Sequence, residues 1–203
     1  RTRSLISVED PVEYRIPDAN QQQVNEKAGV TFEALLKSSV RQDPDILYLG
    51  EIRDSFSARI SVDFASTGHM TISTLHTNNA TTAIFRLERL GVTREVMAEA
   101  LLGIVAQRLL KKLCPSCRKM IPITEGEKEL LRPFTNDIPD FVAHPVGCPK
   151  CRDGYLGREG VYEIITFDAD ILDRIRSGMP ISELRTFLQR RGDYLISHHA
   201  IEK

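Results

Sequence analysis

Tryptophan is absent from the 203 residues, and no apolar run approaches the ~20 residues that a membrane-spanning helix needs. Nothing at the amino terminus has the charged, apolar and small-residue order of a signal peptide, so the chain is not expected to be membrane-embedded. None of the twelve glycines is followed by lysine, so the G-x-x-x-x-G-K-[ST] loop, whose backbone amides cradle phosphates, is missing. An excess of one charge is missing too. Lys and Arg number 27 against 28 Asp and Glu, for a net −1. That leaves no global pull toward nucleic acid, and any basic partner surface must be local. The length suffices for one sizeable core plus a small appended unit.

What is present is a set of short apolar segments, each ending in polar groups. Ile46 to Leu49 is followed by Gly50-Glu51-Ile52-Arg53-Asp54. Met70 to Leu75 leads into His76-Thr77-Asn78, and Leu5-Ile6-Ser7-Val8 into Glu9-Asp10-Pro11-Val12-Glu13. These read as buried strands of an open parallel sheet, which binds ligands beyond its strands' carboxyl ends. A carboxylate just past such a strand can hold Mg²⁺ through water or orient the water that attacks a γ-phosphate. The usual Walker B strand ends in Asp. Here Gly50 stands in that place, so another acid must share the magnesium, and Glu9, Asp10 and Glu13 are the candidates.

Between these segments lie helical periodicities. Phe32, Leu35, Leu36 and Val40 repeat behind Thr31 as a candidate cap, and Phe56, Ile60 and Phe64 repeat before the His69 to His76 stretch. Asn78 to Thr82 reads as a cap for a helix Ala83 to Leu90 that stops at Gly91. The pattern then predicts a long helix from about Thr93 to Leu113, with Met97, Leu101, Ile104, Val105 and Leu109 facing the core. Strand and helix signals alternating through residue 113 predict a doubly wound α/β sheet.

Beyond Leu113 stand two matched C-P-x-C knuckles, Cys114/Cys117 and Cys148/Cys151. Four thiolates at this spacing complete a tetrahedral zinc site, and with every position filled by sulfur the ion would be structural. Two disulfides or a redox C-x-x-C are the weaker readings, the latter for want of a thioredoxin-like βαβ context. The intervening residues are predicted to carry a short helix around Glu125 to Leu131. Arg152 to Ile165 reads as a glycine-rich turn leading into a strand. Helices are expected near Ile171 to Ser177 and Ile181 to Arg191, with helix-like sequence continuing to Lys203.

The acidic box Glu9-Asp10-Pro11-Val12-Glu13, the atypical Walker B Gly50 to Asp54, the histidine box Thr67-Gly68-His69 to His76-Thr77-Asn78 and the four cysteines occur in one order. In that order they resemble the secretion ATPases of the type II secretion and type IV pilus assembly family. The resemblance spans almost the whole chain. It implies a RecA-like P-loop NTPase core over residues 1–113, truncated on its amino-terminal side. A four-cysteine zinc subdomain over 114–151 and an α-rich carboxyl-terminal subdomain over 152–203 would follow. In this family the phosphate loop precedes the acidic box by a helix, so the chain is expected to be a carboxyl-terminal fragment, inactive alone.

By the resemblance, Glu51 falls on the Walker B glutamate that polarises the attacking water and helps hold Mg²⁺, with a helix-capping carboxylate as the weaker alternative. His76, able to donate a hydrogen bond whether neutral or charged, is the candidate γ-phosphate contact, and Glu9 the best water or magnesium partner. Glu13, Asp10, His69 and Arg53 are nucleotide- or magnesium-associated. His69, at the strand's entry, has a packing or inter-subunit role as an equal alternative, and Asp10, before Pro11, one in stabilising the turn. Arg41, Arg53, Arg86 and Arg89 are the arginines nearest the motifs, and which of them instead pair with Asp43, Asp54 or Glu88 is open at this stage.

The implied activity is ATP hydrolysis by a motor subunit for pilus assembly or type II secretion, with ATP, Mg²⁺ and Zn²⁺. The subunit would form a homo-oligomer, expected to be a hexamer, in the cytoplasm at the inner face of the bacterial inner membrane, against a platform protein. The four-cysteine insertion favours the assembly and secretion branch over the retraction branch. Two other readings stand beside it. One is a non-catalytic docking module with structural zinc. The other is a zinc-ribbon nucleic-acid binder, which the acids Glu125, Glu127, Glu129, Asp137 and Asp140 between the knuckles disfavour.

Overall fold

The computed structural model describes residues 3–203, which form two compact units, one of residues 3–104 with 166–188 and one of 105–165 with 189–203. Both are discontinuous in sequence. Residues 105–113 and 152–165, which the sequence reading places in different blocks, therefore belong to the same unit.

The first unit is built on a four-stranded, fully parallel sheet of β1 (Leu5–Glu9), β2 (Asn20–Gln23), β3 (Ile46–Leu49) and β4 (Met70–Ser73), in the order β2-β1-β3-β4. Leu5 pairs with Ile46 and Ile46 with Met70, so all three motif-bearing strands run side by side and finish at the same edge. Helices α1 (Phe32–Ser39) and α2 (Ser55–Ser66) lie on one face. There Val8, Leu36, Leu47 and Leu49 form a closed core against Phe32, Leu35, Val40, Phe56, Ile60 and Phe64, the residues whose helical spacing marks the two amphipathic faces.

The caps are chemically explicit. Thr31 accepts from the Ala34 amide, and Asp54 and Ser57 form a reciprocal capping box at the start of α2. The Ser57 backbone N–H, with its hydroxyl, holds the Asp54 carboxyl below its ordinary 3.8 against a smaller opposing effect of burial. Replacing Asp54 by Ala is expected to cost about 1 kcal/mol of stability near neutral pH. The linkage has a definite sign. A depressed carboxyl pKa stabilises above the unfolded value and loses that contribution as pH falls through the folded one. Thermal melts of the two proteins should therefore converge below pH 3.8, and a constant gap across that range would contradict this account.

After β4, Asn79 caps α3 (Ala80–Arg89) with a second reciprocal box through Thr82, and Thr93 caps α4 (Arg94–Ala100). The helix predicted from Thr93 to Leu113 ends instead at Ala100. Leu101 is extended, with φ −79 and ψ 125, and Gly103–Leu113 is β5. Gly103 in a helix interior costs about 1 kcal/mol relative to Ala, and the β-branched Ile104 and Val105 favour the pleat. Met97 is buried as expected, whereas Val105 and Leu109 are exposed.

Helices α6 (Ala169–Arg176) and α7 (Ile181–Arg191) fall mainly in the first unit, and α4 packs on α6. Arg94 donates from Nε and Nη2 to both Glu88 oxygens, at 2.9 and 3.0 Å, and from Nη1 to the Met179 carbonyl, at 2.9 Å.

The second unit holds a two-stranded sheet of β5 with β8 (Tyr155–Thr166) and an antiparallel pair of β6 (Lys119–Pro122) with β7 (Phe141–His144). It also holds α5 over Glu125–Leu131. The helix-like tail is interrupted at Gly192, whose φ is 86, and resumes as α8 (Ile196–Ile201). No helix among the described residues is long and apolar enough to cross a membrane.

Candidate functional site

The three strand exits of the first unit bring acid, base and cation together. Glu51 lies two residues past β3, in a loop tied to its neighbours on both sides. Gly50 N–H donates to the Val8 carbonyl at 2.9 Å, Ile52 N–H to the Thr74 carbonyl at 2.9 Å, and Thr74 Oγ1 to the Gly50 carbonyl at 2.7 Å. A Cβ at position 50 would meet the Glu9 Cα at 3.4 Å and the Val8 oxygen at 3.5 Å, ordinary contact distances, so this approach does not itself demand glycine.

Both oxygens of Glu51 are engaged. Arg53 Nε donates to Oε1, and His76 Nε2 lies 3.0 Å from Oε2. Arg53 reaches across to β1's exit as well, its Nη1 donating to Asp10 Oδ2 at 3.1 Å. The Arg53 hydrogen bond, aided by its charge and by His76, holds the Glu51 carboxyl below the usual carboxylate range against a lesser effect of burial. Glu51 is thus an ionised acceptor across the physiological range. The ring of His76 is largely exposed.

Glu9 closes β1 and is buried. Its Oε1 accepts from Ser7 Oγ at 2.6 Å and from Gln21 Nε2 at 2.9 Å. Glu13 is exposed beyond it, and burial, followed by the charges of Glu9 and Glu13, raises the Tyr48 phenol. His69 stands apart at the amino end of β4, its ring stacked on Phe64 with centroids 4.2 Å apart and its Nδ1 3.1 Å from Thr67 Oγ1. The open pairings resolve as follows. Asp54 caps α2, Glu88 takes Arg94, and Arg53 takes Asp10 and Glu51. Arg86 and Arg89 line a shallow cavity of about 230 Å³ with His76, Thr77, Asn78, Thr82 and Phe85.

Gln21 was missed by sequence reasoning. It sits on β2, a strand of four polar residues, Asn20–Gln23, with no apolar alternation to reveal it.

The second unit gathers the four cysteines. Their sulfurs all lie within 4.8 Å of one another, with Cys114 to Cys148 at 3.9 Å and Cys151 at 3.7 Å from both Cys117 and Cys148. A tetrahedron of thiolates about 2.3 Å from zinc has edges of about 3.8 Å, so the four sulfurs can hold a zinc ion with little movement. Cys148 N–H donates to Cys151 Sγ at 3.3 Å, and the backbone amides of Ser116, Gly147 and Lys150 act to lower the thiols of Cys114, Cys117 and Cys148.

At Cys114, burial raises the thiol, but the Ser116 amide and the neighbouring thiols outweigh it and bring the value to about 7. At Cys148 the Lys150 amide is overcome by burial and the other three sulfurs, which push it up to about 11. Four thiols this close need a cation to ionise together. Cys114 N–H is anchored by the Gly154 carbonyl at 2.8 Å. Gly154, at φ 84, faces Pro145 so closely that a Cβ would stand 2.5 Å from the proline's Cβ, so only glycine fits there.

The family model for type II/IV secretion system proteins matches residues 1–202. Type II secretion system protein E of Aeromonas hydrophila is 43% identical over 179 residues, covering 87% of this chain and 35% of that protein. The type IV pilus assembly ATPase PilB of Acinetobacter baylyi is 44% identical over 173 residues, 83% of this chain and 30% of its own. The chain thus spans about a third of the length of these relatives. A crystal structure of the pilus retraction motor PilT with bound ADP superposes on the whole chain and 48% of its own, with a TM-score of 0.68 at 24% identity, a likeness of fold. A matching family model over nearly every residue and relatives above 40% identity establish that this chain belongs to the type II/IV secretion system protein family.

Proposed function

We propose that the chain is the catalytic-side portion of an ATP-hydrolysing motor subunit that powers type IV pilus assembly or type II secretion. The observation that carries this reading is the junction of three parallel strand exits, Asp10 to Arg53 to Glu51 to His76, at the edge of the sheet where α/β folds bind ligands. Relatives named as secretion protein E and as a pilus assembly ATPase support it.

In this reading Glu51 orients and polarises the attacking water. Its carboxyl, held low by Arg53, is a weak proton acceptor, so positioning and charge are its main contribution. Arg53 fixes the carboxylate and ties it to β1's exit. His76, on an exposed loop three residues past β4, can donate to a phosphate oxygen whether neutral or protonated. Glu9, with Asp10 and Glu13 around it, offers the hard oxygen ligands that suit Mg²⁺, which would neutralise phosphate charge when bound. His69 is assigned to packing of the β4 entry and Arg86 or Arg89 to the phosphate side of the His76 cavity.

The RecA-like core, expected over residues 1–113, would comprise residues up to 104 with 166–188, and the zinc subdomain, expected over 114–151, would extend over 105–165 with 189–203. Zinc, held by Cys114, Cys117, Cys148 and Cys151, would be structural. The subunit would work as a homo-oligomer, a hexamer, on the cytoplasmic face of the inner membrane against a platform protein. The test is phosphate release by the full-length protein with ATP, with and without Mg²⁺. Magnesium-dependent turnover is expected, and its lack in folded, zinc-loaded protein would favour a docking module.

A further inference from the structure

Glu9 is a carboxylate with 6% of its surface exposed, beside a Ser7 with none, and what surrounds it is more elaborate than burial alone requires. Gln21 contacts three partners from one amide. Its Oε1 accepts from the Ile16 N–H at 2.7 Å, and its Nε2 donates to the Tyr14 carbonyl at 2.9 Å and to Glu9 Oε1 at 2.9 Å. The two backbone partners decide which way the amide points, because a backbone N–H needs an acceptor and a carbonyl needs a donor. Flipping the amide would break both. The second N–H of Gln21 is therefore committed to Glu9 by the loop over residues 14–16.

Ser7 Oγ donates to that same oxygen at 2.6 Å. Two donors thus converge on Oε1, and among the described residues Oε2 takes no hydrogen bond.

We propose that Gln21, with Ser7, is a positioning residue for Glu9, turning one carboxylate oxygen inward so that the other is presented at the strand exit. The inference rests on Glu9 having the role proposed for it above. The arrangement explains why a strand of four polar residues sits beside β1 in the sheet. In parallel register Gln21 pairs with Ser7, so the two side chains stand on one face and reach the same oxygen. It also joins the loop between β1 and β2 to the carboxylate, so that movement of that loop is felt at Glu9.

The test is steady-state ATP hydrolysis by the full-length protein as Mg²⁺ is varied. Wild type is compared with Gln21→Met, Ser7→Ala, Glu9→Gln and the Glu9→Gln/Gln21→Met double variant, and the melting temperature of each is recorded. A hydrogen bond to a charged group corresponds to roughly ten- to hundredfold. Gln21→Met should therefore lower kcat about tenfold and raise the Mg²⁺ needed for half-maximal rate, leaving the KM for ATP within about twofold. Ser7→Ala, which leaves the loop's own bonds intact, should shift both in the same direction.

In the Glu9→Gln background Gln21→Met should add less than about a twofold further loss, because its effect passes through Glu9. The same tenfold loss in both backgrounds would show a general structural role and overturn the inference. Strong loss in Glu9→Gln with wild-type kinetics in Gln21→Met and Ser7→Ala would overturn it while sparing the reading of Glu9. Wild-type kinetics in Glu9→Gln would overturn both.

Discussion

Replacing Glu51 by Gln in the full-length protein is expected to lower kcat for ATP hydrolysis by about 10²- to 10⁴-fold, the usual contribution of a positioned acid or base. The change keeps the size and the ability to accept one hydrogen bond, and removes the negative charge. In this chain that charge is shared between two partners, Arg53 on Oε1 and His76 on Oε2. The amide therefore loses the ionic hold of Arg53 and can accept on one atom only. Arg53 retains Asp10 at 3.1 Å, so the loop stays anchored to β1's exit and the fold should survive. The loss should appear in kcat with little change in KM, as for a group acting in the transition state. Wild-type turnover in Glu51→Gln would remove Glu51 from the chemistry.

Removing the metal from the four-cysteine cluster is expected to unfold the second unit locally. Its buried apolar side chains are few, Ala106, Ile123, Val161, Ile165 and Leu195, together with the buried Cys114 thiol. The first unit by contrast has the Val8, Leu36, Leu47 and Leu49 core. A small unit with so little apolar burial depends on a cross-link, and structural zinc supplies about 10–16 kcal/mol in isolated zinc-finger peptides. Cys148→Ser, or a strong chelator, should therefore abolish one equivalent of bound zinc, measured by elemental analysis. Hydrogen exchange should become fast over β6, β7 and the knuckles, while β1 and β3 stay protected. Cys148→Ser should act as strongly as chelation, because Cys148 stands within 3.9 Å of two other sulfurs. Full-length protein that is metal-free after growth with zinc, yet protected across β6 and β7, would rule this out.

Other features of the sequence locate less than they suggest. His69 and His76 belong to one motif, yet the first is stacked on Phe64 at the entry of β4 and the second meets Glu51 at its exit. A strand separates its two ends by its own length, so residues flanking it cannot share one site. Arg53 and Asp54 are neighbours in sequence and part company in space, the first joining Asp10 and Glu51 and the second capping α2.

The sequence by itself determined the amphipathic faces of α1 and α2, the polar strand exits, the helix at Glu125–Leu131 and the pairing of the cysteine knuckles. These are short-range signals. A helical face repeats within four residues, a cap acts over three, and a C-P-x-C turn aims its own sulfurs. Three other features came from folding. One is strand rather than helix at Gly103–Leu113. The others are β2 as an edge strand and Gln21 as the partner of Glu9. A segment such as Ile104 to Leu110 can satisfy its backbone in a helix or against another strand, and β8, more than forty residues later, supplies that partner. Likewise Asn20–Gln23 has no apolar pattern of its own. It becomes a strand because β1 offers an unpaired parallel edge, and Glu9 a buried carboxylate that needs donors.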